Sequence, residues 1–331
     1  MLRLLKYILR GLQGGTIRLL LMAGGVLLVW GMFAPVGTLV WWLRQNPKSL
    51  GSSQPSASTS GNQTRNLTAD TQIDCYIVFF TGVGDFSADQ LTPGEQHFLH
   101  QLTQKHPDCV AVSDVFPYSA ANENLGGHRL LAPLWRAAEH GQGWLKNADV
   151  LIKIRNLWRF AISIDGRYGP VYNQGIADAV INRMNAAHPI DGDRPFKVIL
   201  IGTSGGAQVA LGAVHYLAQW LPHARLVAVS VGGDFAGTND FKVLEHLYHL
   251  EGQGDWIADL SRVLLPSRWP WVVGSSFNQF RRQGHYTASN SGPHEHDGPQ
   301  GYFGLDRVGK SGTTYVDLTI QKVNQLPIWS N

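Results

Sequence analysis

Residues Phe196–Tyr216 read FKVILIGTSGGAQVALGAVHY. Lys197 to Ile201 is a short β-branched and aliphatic run, the pattern of a strand buried in a parallel sheet. It leads directly into Gly202-Thr203-Ser204-Gly205-Gly206, and then into small and apolar residues suited to a helix packed close on that sheet. The spacing is G-x-S-x-G, the mark of a strand-to-helix turn too tight for side chains on either flank of the serine. The helix start beneath Ser204 adds N–H groups and positive dipole where an oxyanion would form. Ser204 is the candidate nucleophile, and Gly205 supplies one candidate oxyanion N–H.

Working outward, strand-like runs recur at Cys75–Phe80, Cys109–Phe116, Arg225–Val231 and His246–Leu250, with a last short one at Tyr286–Ser291. Helical patterns separate them, over Ser87–Lys105, Leu130–His140, Ala148–Ile164, Val171–Ala187, Trp256–Leu264 and Thr313–Gln325. This alternation predicts an α/β fold with a doubly wound, mostly parallel sheet. Ligands bind such sheets at the carboxyl ends of the strands. There the first run opens into Gly82-Val83-Gly84, a second candidate oxyanion loop. A dinucleotide reading of Gly82-x-Gly84 fails, because Ser87 stands at the third glycine position. No cofactor is expected. The stretch 117–195 is longer than a simple crossover needs, so a helical insert is expected around 117–165. Pro266–Arg282 reads as irregular, aromatic and basic, which suits contact with a membrane surface.

The chain has 331 residues and two cysteines, with 27 basic and 24 acidic residues. Seven of the bases precede Asp70, the first acid, so the remainder carries 20 bases against 24 acids. A basic head on a mildly acidic body points to a membrane-facing N-terminus and not to nucleic acid. Leu19 to Leu43 is uncharged, flanked by Arg3, Lys6, Arg10 and Arg18 before it and Arg44 and Lys48 after it. As a helix it would rise roughly 37 Å, enough to cross a bilayer core. The expected organisation is a basic cytoplasmic segment 1–18, a transmembrane helix 19–43, a linker 44–72 rich in Ser, Gly, Asn and Thr, and a folded body 73–331. The heavier basic flank puts the N-terminus in the cytoplasm and the body outside. Cys75 and Cys109 each begin a strand, and either a disulfide or two buried thiols would fit.

A serine hydroxyl needs a base to take its proton, and the base works best when a carboxylate holds its tautomer. After Ser204 the chain offers the glycine-flanked Asp255, with Asp234 as second choice, and then His294 and His296. The order Ser, acid, His is that of the α/β-hydrolases. The rival chemistry is a metal site built on His294, His296 and Asp297, which would need further ligands from elsewhere. A second alternative is a hydrolase-like domain that binds at the membrane without turnover.

Strand–GTSGG–helix, the GQGD segment ending in Asp255 and the terminal HDGPQGY together resemble the α/β-hydrolase superfamily, in particular its membrane-tethered bacterial members. The resemblance spans Ile73 to the C-terminus. It implies Ser204 as nucleophile, Asp255 as acid and a late histidine as base. His296 is chosen because His296 to Tyr302 matches the group's H-[ND]-G-P-x-G-Y segment. The chain departs from the HGGG-type oxyanion loop, having Thr81-Gly82-Val83-Gly84 instead. The expected activity is hydrolysis of a lipid or other acyl ester.

Overall fold

The structure, a computed structural model, describes residues 73–85, 91–120, 122, 149–309 and 312–329. Its strands are β1 (Cys75–Phe80), β2 (Cys109–Val112), β3 (Phe196–Thr203), β4 (Ala224–Val231), β5 (His246–Gly252) and β6 (Tyr286–Gly292). They form one sheet in the order β2-β1-β3-β4-β5-β6, and every neighbouring pair is parallel. Parallel strands cannot be joined by tight hairpins, so helical connections are required and both faces become covered. The described helices are α1 (Pro93–Lys105), α2 (Asp149–Ile164), α3 (Gly169–Ala187), α4 (Gly205–Trp220), α5 (Trp256–Leu264), α6 (Ser276–Arg282) and α7 (Tyr315–Asn324).

One face of the sheet presents Ile77, Phe79, Ile199, Ile201, Val227, Val229 and Leu250 to Phe98 and Leu102 of α1 and to Val316 and Val323 of α7. Alternate residues, among them Val78, Leu200 and Ala228, are equally buried on the other face, where α3 and α4 pack. The sheet is doubly wound, as the alternation of runs predicts.

Three expectations change. The second strand ends at Val112 and not at Phe116. Beyond it, the Asn122 side chain accepts from the Phe116 N–H and donates to the Asp114 carbonyl, so these groups leave the ladder. The stretch 266–282 is not wholly irregular: it contains a 3₁₀ turn at Pro266–Arg268 and the helix α6. Ser275 starts that helix by accepting the Asn278 N–H, a local cap that overrides the turn-like Gly274-Ser275-Ser276 composition. The first described helix begins at Pro93, where Thr92 and Glu95 form a capping box, and Ser87, its expected start, lies outside the described residues. The segments 1–18, 19–43 and 44–72 and the helix expected over Leu130–His140 lie outside the described residues. Among the described residues no helix is long and apolar enough to cross a membrane.

Cys75 and Cys109 are paired in register on β1 and β2 and joined by a disulfide. The bond closes a loop with a sequence separation of 34 residues. On the chain-entropy account a loop of this size stabilises by about 3–4 kcal/mol. The Cys75→Ser/Cys109→Ser chain should lose stability of about that size, read as a lower midpoint in urea unfolding.

Candidate active site

Ser204 sits between β3 and α4 with φ 49° and ψ −132°. Positive φ is costly for a side-chain-bearing residue, and it persists here because the surrounding packing admits nothing else. A Cβ on Gly202 would lie 2.5 Å from the Ala207 Cα, and one on Gly206 would lie 2.4 Å from the Thr81 carbonyl oxygen. The two outer glycines of G-x-S-x-G are therefore what lets α4 press against β3 and β1. Serine at a helix start ordinarily caps the helix with its hydroxyl. Ser204 makes no such bond. Its Oγ lies 3.0 Å from His296 Nε2 instead.

His296 lies in the loop after β6, and its Nδ1 is 2.9 and 3.0 Å from the two carboxylate oxygens of Asp255. The carboxylate requires the proton on Nδ1, which leaves Nε2 as an acceptor facing the serine hydroxyl. Asp255 follows β5 and starts α5, where its Oδ1 also accepts the N–H groups of Ile257 and Ala258. Tyr302 donates its hydroxyl to Asp255 Oδ2 at 2.7 Å and accepts the Gly252 N–H at 2.7 Å. Burial acts to raise the Asp255 pKa, but His296, Tyr302 and the Ala258 N–H outweigh it and hold the carboxyl below its usual range. Burial acts to lower His296, and the bond and charge of Asp255, with smaller contributions from Asp297 and Asp234, hold it above its usual value.

The remaining candidates fall into place around this line. Gly82 lies against Ser204, and Val83 against Gly205, whose added Cβ would meet Val83 Cγ1 at 2.7 Å. The loop is fixed from behind by Asn156 of α2, a fully buried amide that donates to the carbonyls of Val83 and Asp85. Gly82, Val83, Gly84, Ser204 and His296 all line one cavity of about 440 Å³. Phe303 and Leu305 line it too, together with Asp85, Glu95, Asp297, Asp306 and Lys153. Burial, and then the charge of Glu95, raises the Asp85 pKa, and burial raises that of Glu95.

Two alternatives from the sequence are not part of the line. Asp234 meets Ser204 through the backbone, its N–H donating to the Ser204 carbonyl at 3.0 Å, while the imidazole Nδ1 is taken by Asp255. His294 is buried and stacks on Tyr302 with centroids 5.0 Å apart. Its Nδ1 is bonded to Ser291 Oγ, and its Nε2 lies 3.0 Å from the Tyr315 carbonyl. That pins α7 to the histidine loop and separates His294 from His296 as a metal-ligand pair. Among the described residues no group of three or more His, Cys, Asp or Glu side chains is placed to hold a metal ion.

Sequence reasoning assigned no role to Asn156 or to the Tyr302 hydroxyl. Tyr302 ends the HDGPQGY segment, so its position is visible; Asn156 carries no local signal, being one of several polar residues in α2. No known family model matches the chain, and no curated protein matches it. The parallel α/β sheet is compatible with an α/β-hydrolase-like fold.

Tyr302→Phe leaves the Asp255 oxygen short of a donor and the Gly252 N–H short of an acceptor. The expected loss is about 1–3 kcal/mol at neutral pH. The depressed pKa of Asp255 means that the carboxylate's contribution is present above its unfolded pKa and fades as pH falls through the folded one. The difference between Tyr302→Phe and the parent should therefore shrink in urea titrations at strongly acidic pH.

Proposed function

We propose that this chain is a membrane-anchored serine hydrolase of the α/β-hydrolase type, acting on an acyl ester through an acyl-enzyme. The observation that carries the reading is the continuous hydrogen-bonded line from Ser204 Oγ through His296 to Asp255. In this reading the imidazole takes the Ser204 proton as Oγ attacks the carbonyl carbon, and later returns it to the leaving alkoxide. Water then enters by the same route in reverse. Asp255 holds the tautomer and the imidazolium. The Gly205 N–H and the Gly82–Gly84 loop stand beside the nucleophile, where the oxyanion would develop.

The cavity suits a group of modest size. The uncharged run 19–43 is the proposed anchor. The Cys75–Cys109 disulfide supports a body on the extracytoplasmic side, since cytosolic thiols are generally kept reduced.

The test is a fluorophosphonate probe on the full chain in detergent micelles. Labelling that Ser204→Ala and His296→Ala both abolish, with unchanged circular dichroism, is the expected result. A folded parent that stays unlabelled would favour a non-catalytic binding domain. A second expectation concerns pH. His296 must be neutral to accept the proton, and its pKa is raised, so kcat/KM for p-nitrophenyl acetate should climb through a midpoint above the ordinary histidine value. Asp255→Asn should move that midpoint to lower pH and reduce the plateau by about 10⁴-fold.

A further inference from the structure

The face formed by α5 and the loop that follows it has a composition that the hydrolase reading does not use. Trp256, Val263, Leu264, Trp271 and Val273 are all more than half exposed, Trp271 at 71%. They make up five of the ten exposed large apolar side chains among the described residues, so the exposure is clustered in one short stretch. Scattered apolar residues on a surface need no explanation, but a contiguous group does.

The loop is also built to hold this display. The buried Asn278 amide donates to the carbonyls of Trp269 and Val272, at 2.7 and 3.0 Å. The Trp269 indole N–H donates to the Arg262 carbonyl on α5, and Trp269 and Trp271 stand with their rings 5.1 Å apart. Arg282 Nη2 donates to the Val273 carbonyl at 2.8 Å, which sets a guanidinium next to the apolar tip. Such a surface loses little conformational freedom when something covers it.

Charge decides what that something is. From Ser261 to His294 the chain carries four arginines and no acid; Arg268 is buried over the Phe235 ring, and Arg262 is paired with Glu251 and with Asp259, the one acid of α5. Arg281 and Arg282 are exposed at the base of the loop. Tryptophans that enter an interface, beside the exposed Arg281 and Arg282, suit an anionic bilayer. The chain also carries the apolar run 19–43, separated from the body by 29 residues. We infer that the α5 face and the 265–275 loop dock on an anionic lipid surface, in addition to the anchor. This inference rests on the membrane reading of the protein and extends it to the folded body. Trp256 directly follows Asp255, so the docking face begins one residue from the acid of the candidate site.

The joined Cys75 and Cys109 leave an introduced cysteine as the sole free thiol, which allows a direct test on the full chain. Trp271→Cys, Val263→Cys and, as control, Asp193→Cys in the exposed turn before β3 are labelled with bimane. Each is reconstituted in vesicles of phosphatidylcholine, with or without phosphatidylglycerol, containing doxyl lipid. The expected result is quenching at 271 and 263 that exceeds that at 193 by about twofold or more and grows with phosphatidylglycerol. Equal quenching at all three positions overturns the inference. So does shielding of position 271 without lipid in a species of doubled mass, which would make a second copy the occupant. Carbonate extraction of the unlabelled chain reads the anchor separately. A chain released by carbonate but quenched at 271 loses the anchor and keeps the docking face. A chain retained but unquenched keeps the anchor and loses the face.

Discussion

The buried carboxylate of Asp255 is where the C-terminal part of the molecule is tied together. It accepts hydrogen from two backbone amides of α5, from the His296 imidazole and from the Tyr302 hydroxyl. A desolvated charge is tolerated only when its lone pairs are used, and here donors from two segments converge on it. The start of α5 and both ends of the HDGPQGY segment are therefore held to one another through one group. Gly232, at φ 53°, completes the arrangement, because a Cβ there would lie 2.1 Å from the Tyr302 ring. The other histidine of the loop, His294, stacks on the same tyrosine and binds the backbone of α7. Two histidines two residues apart thus do opposite work, one facing the core and the other facing Ser204.

On the other side of the line the constraint is steric. Ser204 is held at positive φ by helix α4 and strands β3 and β1, which meet with no room for side chains at Gly202 or Gly206. Strain of this kind survives only where the packing around it is dense. It frees the hydroxyl from capping α4 and turns it toward the imidazole. The insert contributes at a distance: Asn156 on α2 holds the carbonyls of the 82–85 loop, which sets the orientation of the peptides beside Ser204.

Much of the sheet was legible in the sequence. Each buried parallel strand is a short continuous apolar run, and CYIVFF and FKVILIGT become β1 and β3 with nearly the expected bounds. Trp256–Leu264 has the bounds that its pattern predicts. The failures have local causes. Cys109–Phe116 continues to look like a strand past Val112, because nothing in those residues announces that Asn122 will take their backbone groups. Helix α6 is only seven residues long, too short for periodicity to stand out from its Gly-Ser surroundings. Asn156 and the Tyr302 hydroxyl act only through partners far along the chain.

The sequence by itself determined the alternation of strands and helices, the tight glycine-flanked serine turn, and the order in which serine, acid and histidines occur. These follow from patterns confined to a few neighbouring residues: periodicity, glycine spacing and capping. Only the tertiary structure decided that Cys75 and Cys109 are bonded, that Asp255 and not Asp234 meets the imidazole, and that His296 and not His294 faces Ser204. Those pairings join side chains 34, 41 and 92 residues apart. The order of strands in the sheet brings such residues together, and no local pattern encodes that order.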